Sequence, residues 1–147
     1  MFSQCISLAI LDLSNFNTKN VTDMSYLFYK CKFLSYIDFS NFNTQKVTNM
    51  SGMFLGCKSL ITLDLSNFNT QNVIIMIAMF YECKSLINLN LSKFNTENVI
   101  DMREMFYDCY KLKNLDLSKF NTQKLIKSFI KYGESGLGIV DWGMKLF

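Results

Sequence analysis

The sequence contains no histidine and no proline, and only one tryptophan among 147 residues. Lacking histidine, it has neither the commonest general base nor the commonest metal ligand. No Cys-x-x-Cys occurs either, which takes away the usual frame of a zinc site. No apolar run approaches the roughly 18 residues of a membrane span. The opening Met1-Phe2-Ser3-Gln4-Cys5 has no basic stretch followed by an apolar one, so no signal peptide is read there. Cys5 likewise lacks the upstream apolar segment that a bacterial lipoprotein signal needs. Charge is sparse and scattered: 15 basic and 12 acidic residues give a net charge of +3, with no basic cluster. That leaves nucleic-acid binding without an electrostatic footprint. Half of the chain is hydrophobic and 18% charged, which argues against disorder and for one domain with a sizeable core.

What is present is repetition. Cysteine recurs at Cys5, Cys31, Cys57, Cys83 and Cys109, always 26 residues apart. Leu-Asp-Leu-Ser at 11–14 returns at 37–40, 63–66, 89–92 and 115–118 with small changes, and Phe-Asn-Thr follows each time at Phe16, Phe42, Phe68, Phe94 and Phe120. A spacing kept without an insertion means that each copy has the same shape. Within the copy from Cys57, Leu60, Leu63 and Leu65 fit a strand with alternate residues inward, and Ser66 to Thr70 fit a turn anchored by Phe68. Met76, Met79, Phe80 and Cys83 then fall at the offsets of an amphipathic helix, which Thr22 and Thr48 would cap in the first two copies. The expected fold is an α/β solenoid: a leucine-rich-repeat-type parallel β-sheet with short convex helices, about five 26-residue coils. No copy buries its apolar stripe alone, so stability must come from neighbours. The solenoid is expected over residues 1–125, with 126–147 a divergent C-terminal tail or cap.

The succession Leu-x-x-Leu-Asp-Leu-Ser-x-Phe-Asn-Thr-x-x-Val, then Met-x-x-Met-Phe-x-x-Cys, resembles the repeat of BspA-like leucine-rich-repeat surface proteins, also found in mycoplasma surface lipoproteins and in some protists. The resemblance runs from Met1 to about Leu125. It implies a parallel-β solenoid that works in adhesion or surface recognition, with extracellular-matrix or host-surface proteins as partners and a place at the cell surface or outside it. It brings no catalytic residues.

Each repeat column samples one environment five times. The Leu and Phe columns stay apolar and belong to the core. Asn17, Asn43, Asn69, Asn95 and Asn121 never vary, which suggests an amide ladder that satisfies turn backbone groups. Asn15, Asn41 and Asn67 become Lys93 and Lys119, so that column faces solvent. Stacked cysteines point the same way and number five, which favours buried free thiols over disulfides. The column Asp12, Asp38, Asp64, Asn90 and Asp116 lies between inward residues and therefore faces out. It reads as a solvated acidic stripe bonded to the Ser14, Ser40, Ser66, Ser92 and Ser118 column, with a calcium site as the lesser alternative. Identical open carboxylates lack the differing environments that separate an acid from a base, so no enzyme is expected.

The residue before the inward Leu is the variable one: Ile10, Tyr36, Thr62, Asn88 and Asn114. A constant polar frame around one changing column suits recognition, with Tyr36 as its aromatic anchor. The candidate binding residues are Tyr36, Asp38, Ser40, Thr62, Asp64, Ser66, Asn88 and Asn90, with no metal and no cofactor. In the third copy Ile74, Ile75, Ile77 and Ala78 replace polar residues, so an apolar patch is expected on the convex side. Met1 and Phe2 occupy the columns of Met53 and Phe54, so the chain starts inside a repeat, and uncapped ends would favour end-to-end self-association. Val140, Trp142, Met144 and Leu146 alternate with polar residues as a capping strand would. The function that follows is a non-catalytic protein-binding or adhesion module presenting a concave β-sheet. The alternative is an intracellular leucine-rich-repeat interaction scaffold.

Overall fold

The computed structural model describes residues 2–125 apart from Ile6, Leu8, Asn114 and Thr122. Four repeats each contribute one two-residue strand: β1 (Ile10–Leu11), β2 (Tyr36–Ile37), β3 (Thr62–Leu63) and β4 (Asn88–Leu89). β1 pairs with β2 in parallel, Ile10 opposite Tyr36 and Leu11 opposite Ile37. β3 pairs with β4 in the same sense, Thr62 opposite Asn88 and Leu63 opposite Leu89. The constant spacing thus sets each residue beside its own equivalent in the next repeat. A second line of parallel contacts, Asp23–Asn49–Ile75–Asp101, joins the repeats about half a repeat further along.

The core lies between these two lines. Leu60, Leu63, Leu65 and Phe68 are buried as their spacing requires, and so are their equivalents in the neighbouring repeats. Phe28, Phe54, Phe80 and Phe106 are fully buried and form one column. Successive rings stand 5.6, 5.7 and 5.5 Å apart with planes within 11° of parallel. Phe2 continues the column over Phe28 at 5.7 Å, in keeping with its sequence register. Each such ring contributes about 1.5–3 kcal/mol by leaving water, and it does so only because a neighbouring repeat covers it.

The expected convex helices are absent: among the described residues no helix of any kind forms. The stripe Met76, Met79, Phe80 and Cys83 is buried as expected, so the offsets reported burial correctly while the backbone takes another path. That path is a run of tight turns. In the first copy the amides of Tyr29 and Cys31 donate to the carbonyls three residues back, Tyr26 and Phe28. Left-handed φ values recur four residues apart, at Tyr26 and Lys30, Gly52 and Gly56, Ala78 and Glu82, and Glu104 and Asp108. An α-helix admits none of these, and each costs a non-glycine residue about 1–2 kcal/mol. The offsetting gain is between repeats: the amides of Met24, Tyr26, Phe28 and Lys30 donate to the carbonyls of Asn49, Ser51, Met53 and Leu55. A helix would spend those amides on itself, along its own axis. Thr22 and Thr48 therefore cap nothing; the Thr48 amide and hydroxyl both donate to the Thr22 carbonyl, at 2.8 and 3.2 Å.

The Asn column satisfies turn backbone groups as expected, but each side chain does so within its own repeat rather than in a ladder. Asn17, Asn43, Asn69, Asn95 and Asn121 each accept, through Oδ1, the amide two residues on, and so close their own turns. The link between repeats is made by the threonine beside them. Buried Thr18, Thr44, Thr70 and Thr96 each donate a hydroxyl to the Asn carbonyl of the next repeat and accept that residue's amide. The capping strand expected around Trp142, and the tail as a whole, lie outside the described residues.

Candidate binding groove

Alternation along β2 to β4 decides which side chains reach solvent. Ile37 and Phe39 are buried, which turns Tyr36, Asp38 and Ser40 outward; Leu63 and Leu65 do the same for Thr62 and Asp64, with Ser66 half-buried, and Leu89 for Asn88 and Asn90. Parallel register then lines these residues up across the repeats. They line one open groove of about 620 Å³ that contains all eight residues singled out from the sequence. Asn67 lines it too; sequence reading took its column only as solvent-facing, although its constancy through three copies was a signal.

Tyr36 is 57% exposed, so its ring is available to a ligand rather than spent on the core. It sits opposite Ile10 of β1, also exposed, which extends the apolar rim beyond the groove. The carboxylates are fixed by local turns. Oδ1 of Asp12, Asp38, Asp64 and Asp116 accepts the amide of the serine two residues on, at 2.8, 2.8, 2.9 and 2.9 Å, and Asn90 repeats the contact with Ser92 at 3.0 Å. The Asp–Ser association expected from sequence thus runs through the serine amide, with the serine hydroxyl contributing at Asp12, Asp64 and Asp116. Bonds from Ser14 and Ser66, the amide first, hold Asp12 and Asp64 below the usual carboxylate range. At Asp116 the Ser118 hydroxyl leads and its amide follows, with the same effect. The groove therefore offers pre-oriented acceptors, hydroxyls and amides beside one aromatic ring. Among the described residues no group of three or more His, Cys, Asp or Glu gathers as a metal site would require.

The thiols lie elsewhere. Cys31, Cys57, Cys83 and Cys109 are buried and unpaired as disulfides, and each Sγ donates to a Phe carbonyl of the repeat before, at 2.9–3.2 Å. Burial pushes all four thiols up: Cys109 to about 12, and Cys57 and Cys83 well above the ordinary value. On the other side of the repeats the third-copy patch is smaller than expected. Ile74 is exposed, Ile75 and Ile77 are half-buried, and Ala78 is buried with a left-handed φ. Ile74 and Ile100, flanked by Thr22 and Thr48, line a second opening there, of about 730 Å³. Next to it Arg103 clamps Asp101 with bonds of 2.9–3.1 Å, a pair that the sequence reading did not single out.

A family model described as "Mycoplasma protein of unknown function, DUF285" matches residues 1–113. Neither a curated protein nor a solved structure matches the chain.

Proposed function

The chain belongs to the Mycoplasma family of unknown function DUF285, and from that premise we propose that it is a non-catalytic adhesion or recognition module of the BspA-like kind. Its repeats are coils of a leucine-rich-repeat-type solenoid, and its partners are matrix or host-surface proteins met outside the cell. The observation that carries this reading is the groove. Among the outward columns of the strand face, the column Ile10, Tyr36, Thr62 and Asn88 is exposed and changes from repeat to repeat, while the Asp column beside it changes only to Asn90 and the Ser column is constant. Side chains that are exposed and pre-oriented bind with little ordering cost, and an aromatic residue is the usual anchor of such a surface.

The test is photo-crosslinking. A photoreactive side chain at Thr62 is expected to capture a surface protein from intact host cells or matrix, and the same group at Ile74 is expected to capture none. Capture from position 74 alone would move the binding face to the opposite side of the repeats.

A further inference from the structure

The groove does not lie over a continuous sheet. β1 pairs with β2 and β3 with β4, but β2 and β3 are not paired. Beside each pair an amide donates to the repeat before, Ser35 to the Ala9 carbonyl and Ile87 to the Ile61 carbonyl, both at 2.9 Å. Among the described residues no such bond joins the Ile61 amide to the Ser35 carbonyl. On the turn side the same two repeats are fully joined. There the amides of Met50, Gly52, Phe54 and Gly56 donate to the carbonyls of Ile75, Ile77, Met79 and Tyr81 at 2.8–3.0 Å. The stack is thus open on the strand side alone, along a seam with Tyr36 and Asp38 on one bank of the groove and Thr62 and Asp64 on the other.

The sequence supplies a cause at this point. Leu13, Leu65, Leu91 and Leu117 fill one inward column, and the second repeat alone puts a phenylalanine there, Phe39. Its ring is buried, and its nearest ring in another repeat is Phe68 of the third, edge-on at 5.1 Å, against 5.8 Å to Phe28 of the first. A close-packed core takes up a side chain larger than its column's leucine by shifting backbone, and here the shift falls where the ring meets the third repeat.

We propose that Phe39 is a positioning residue of the groove. Standing where the other repeats have leucine, it holds β2 off β3 and so sets the span between Tyr36 with Asp38 and Thr62 with Asp64 that a partner must match. This positioning role rests on the reading of the groove as the recognition surface; the seam and its cause do not.

The experiment is amide hydrogen exchange, read residue by residue by nuclear magnetic resonance on the full chain, beside adhesion of the same chains to intact host cells. In the wild type the Ile61 amide should exchange faster than those of Ser35 and Ile87, by about tenfold or more for the bond it lacks. Phe39→Leu, which gives the second repeat its column's own residue, should slow Ile61 to the rate of those two and should lose most of the adhesion. Ser35 and Ile87 should stay slow in that variant, which shows the fold kept. Leu65→Phe should carry the seam one repeat on and speed the Ile87 amide instead. A wild-type Ile61 amide as slow as its two equivalents would overturn the seam, and one still fast in Phe39→Leu would overturn the role of the ring. A closed seam with full adhesion would overturn the positioning role. If Tyr36→Ala then still loses adhesion, the groove reading stands; if it does not, that reading fails as well.

Discussion

At the scale of single residues, the side chain that does most for its size is a buried threonine. Thr44 satisfies both the amide and the carbonyl of Asn69 in the next repeat, at 2.8 and 2.9 Å. Valine keeps the shape and removes both bonds, leaving two backbone groups that cost about 1–3 kcal/mol each when unmet. Thr44→Val should therefore lower stability in denaturant titration by about 2–3 kcal/mol, whereas Thr62→Val on the exposed face should change it by less than about 0.5 kcal/mol. The sequence displays this threonine as plainly as the asparagine before it, since both recur in every Phe-Asn-Thr. It does not reveal which of the two turns inward, because either can close a turn, and only one-residue alternation from the buried Phe assigns the inward place to threonine. The cysteines were more legible: constant and odd in number, all five are free thiols; Cys5 is half-buried, and Cys31, Cys57, Cys83 and Cys109 are buried as their column suggests. Their raised pKa values have a consequence for stability. In the unfolded chain a thiol ionises near 9, whereas the folded Cys109 holds its proton to about 12. Unfolding thus gains from ionisation only above the lower value. Stability should be full below about pH 9 and should fall as pH rises toward 12, a fall that pH-dependent melting reads and that Cys109→Ala should reduce.

At the scale of elements, the strand was legible and the helix was not. Leu-x-x-Leu-x-Leu gave the inward alternation correctly, because period two in a parallel stack has one physical meaning. Offsets of 0, 3, 4 and 7 have two. They arise from a helix, and equally from turns that reverse hand every fourth residue and send alternate amides to the next repeat. Gly52 and Gly56 were the available clue, since two glycines four apart weaken any helix while suiting a left-handed φ. Far-UV circular dichroism should accordingly show far less helical signal than a helix in every repeat would give. At Gly52, with φ of +57°, an added Cβ would fall 2.5 Å from the half-exposed Tyr26 ring, which must shift from its edge contact with Tyr29. Gly52→Ala should then cost about 1–2 kcal/mol, mainly backbone strain. Gly52→Pro should cost about 3 kcal/mol or more, because it also removes the amide that donates to the Ile77 carbonyl.

At the scale of the whole molecule, stability is shared between neighbours rather than held by any one repeat. A ring in the middle of the phenylalanine column is covered on both sides, so Phe54→Ala should cost about 3–5 kcal/mol; Phe2→Ala, at a half-buried position with one stacked neighbour, should cost clearly less. The same register that builds this column assembles the groove. That is why eight residues chosen from outward-facing repeat columns lie along one surface. The far side departs from the patch expected there: turns in place of helices bury Ala78 and half-bury Ile75 and Ile77, which leaves Ile74 exposed beside a half-buried Ile100. The central claim is that recognition belongs to the groove and not to that side. The most direct measurement compares affinities for one host-surface partner across three chains: wild type, the double variant Tyr36→Ala/Asp64→Ala, and Ile74→Ala. With melting temperatures unchanged, the groove variant should bind at least roughly tenfold more weakly and Ile74→Ala should bind as wild type does; an unaltered groove variant beside a weakened Ile74→Ala would contradict the account.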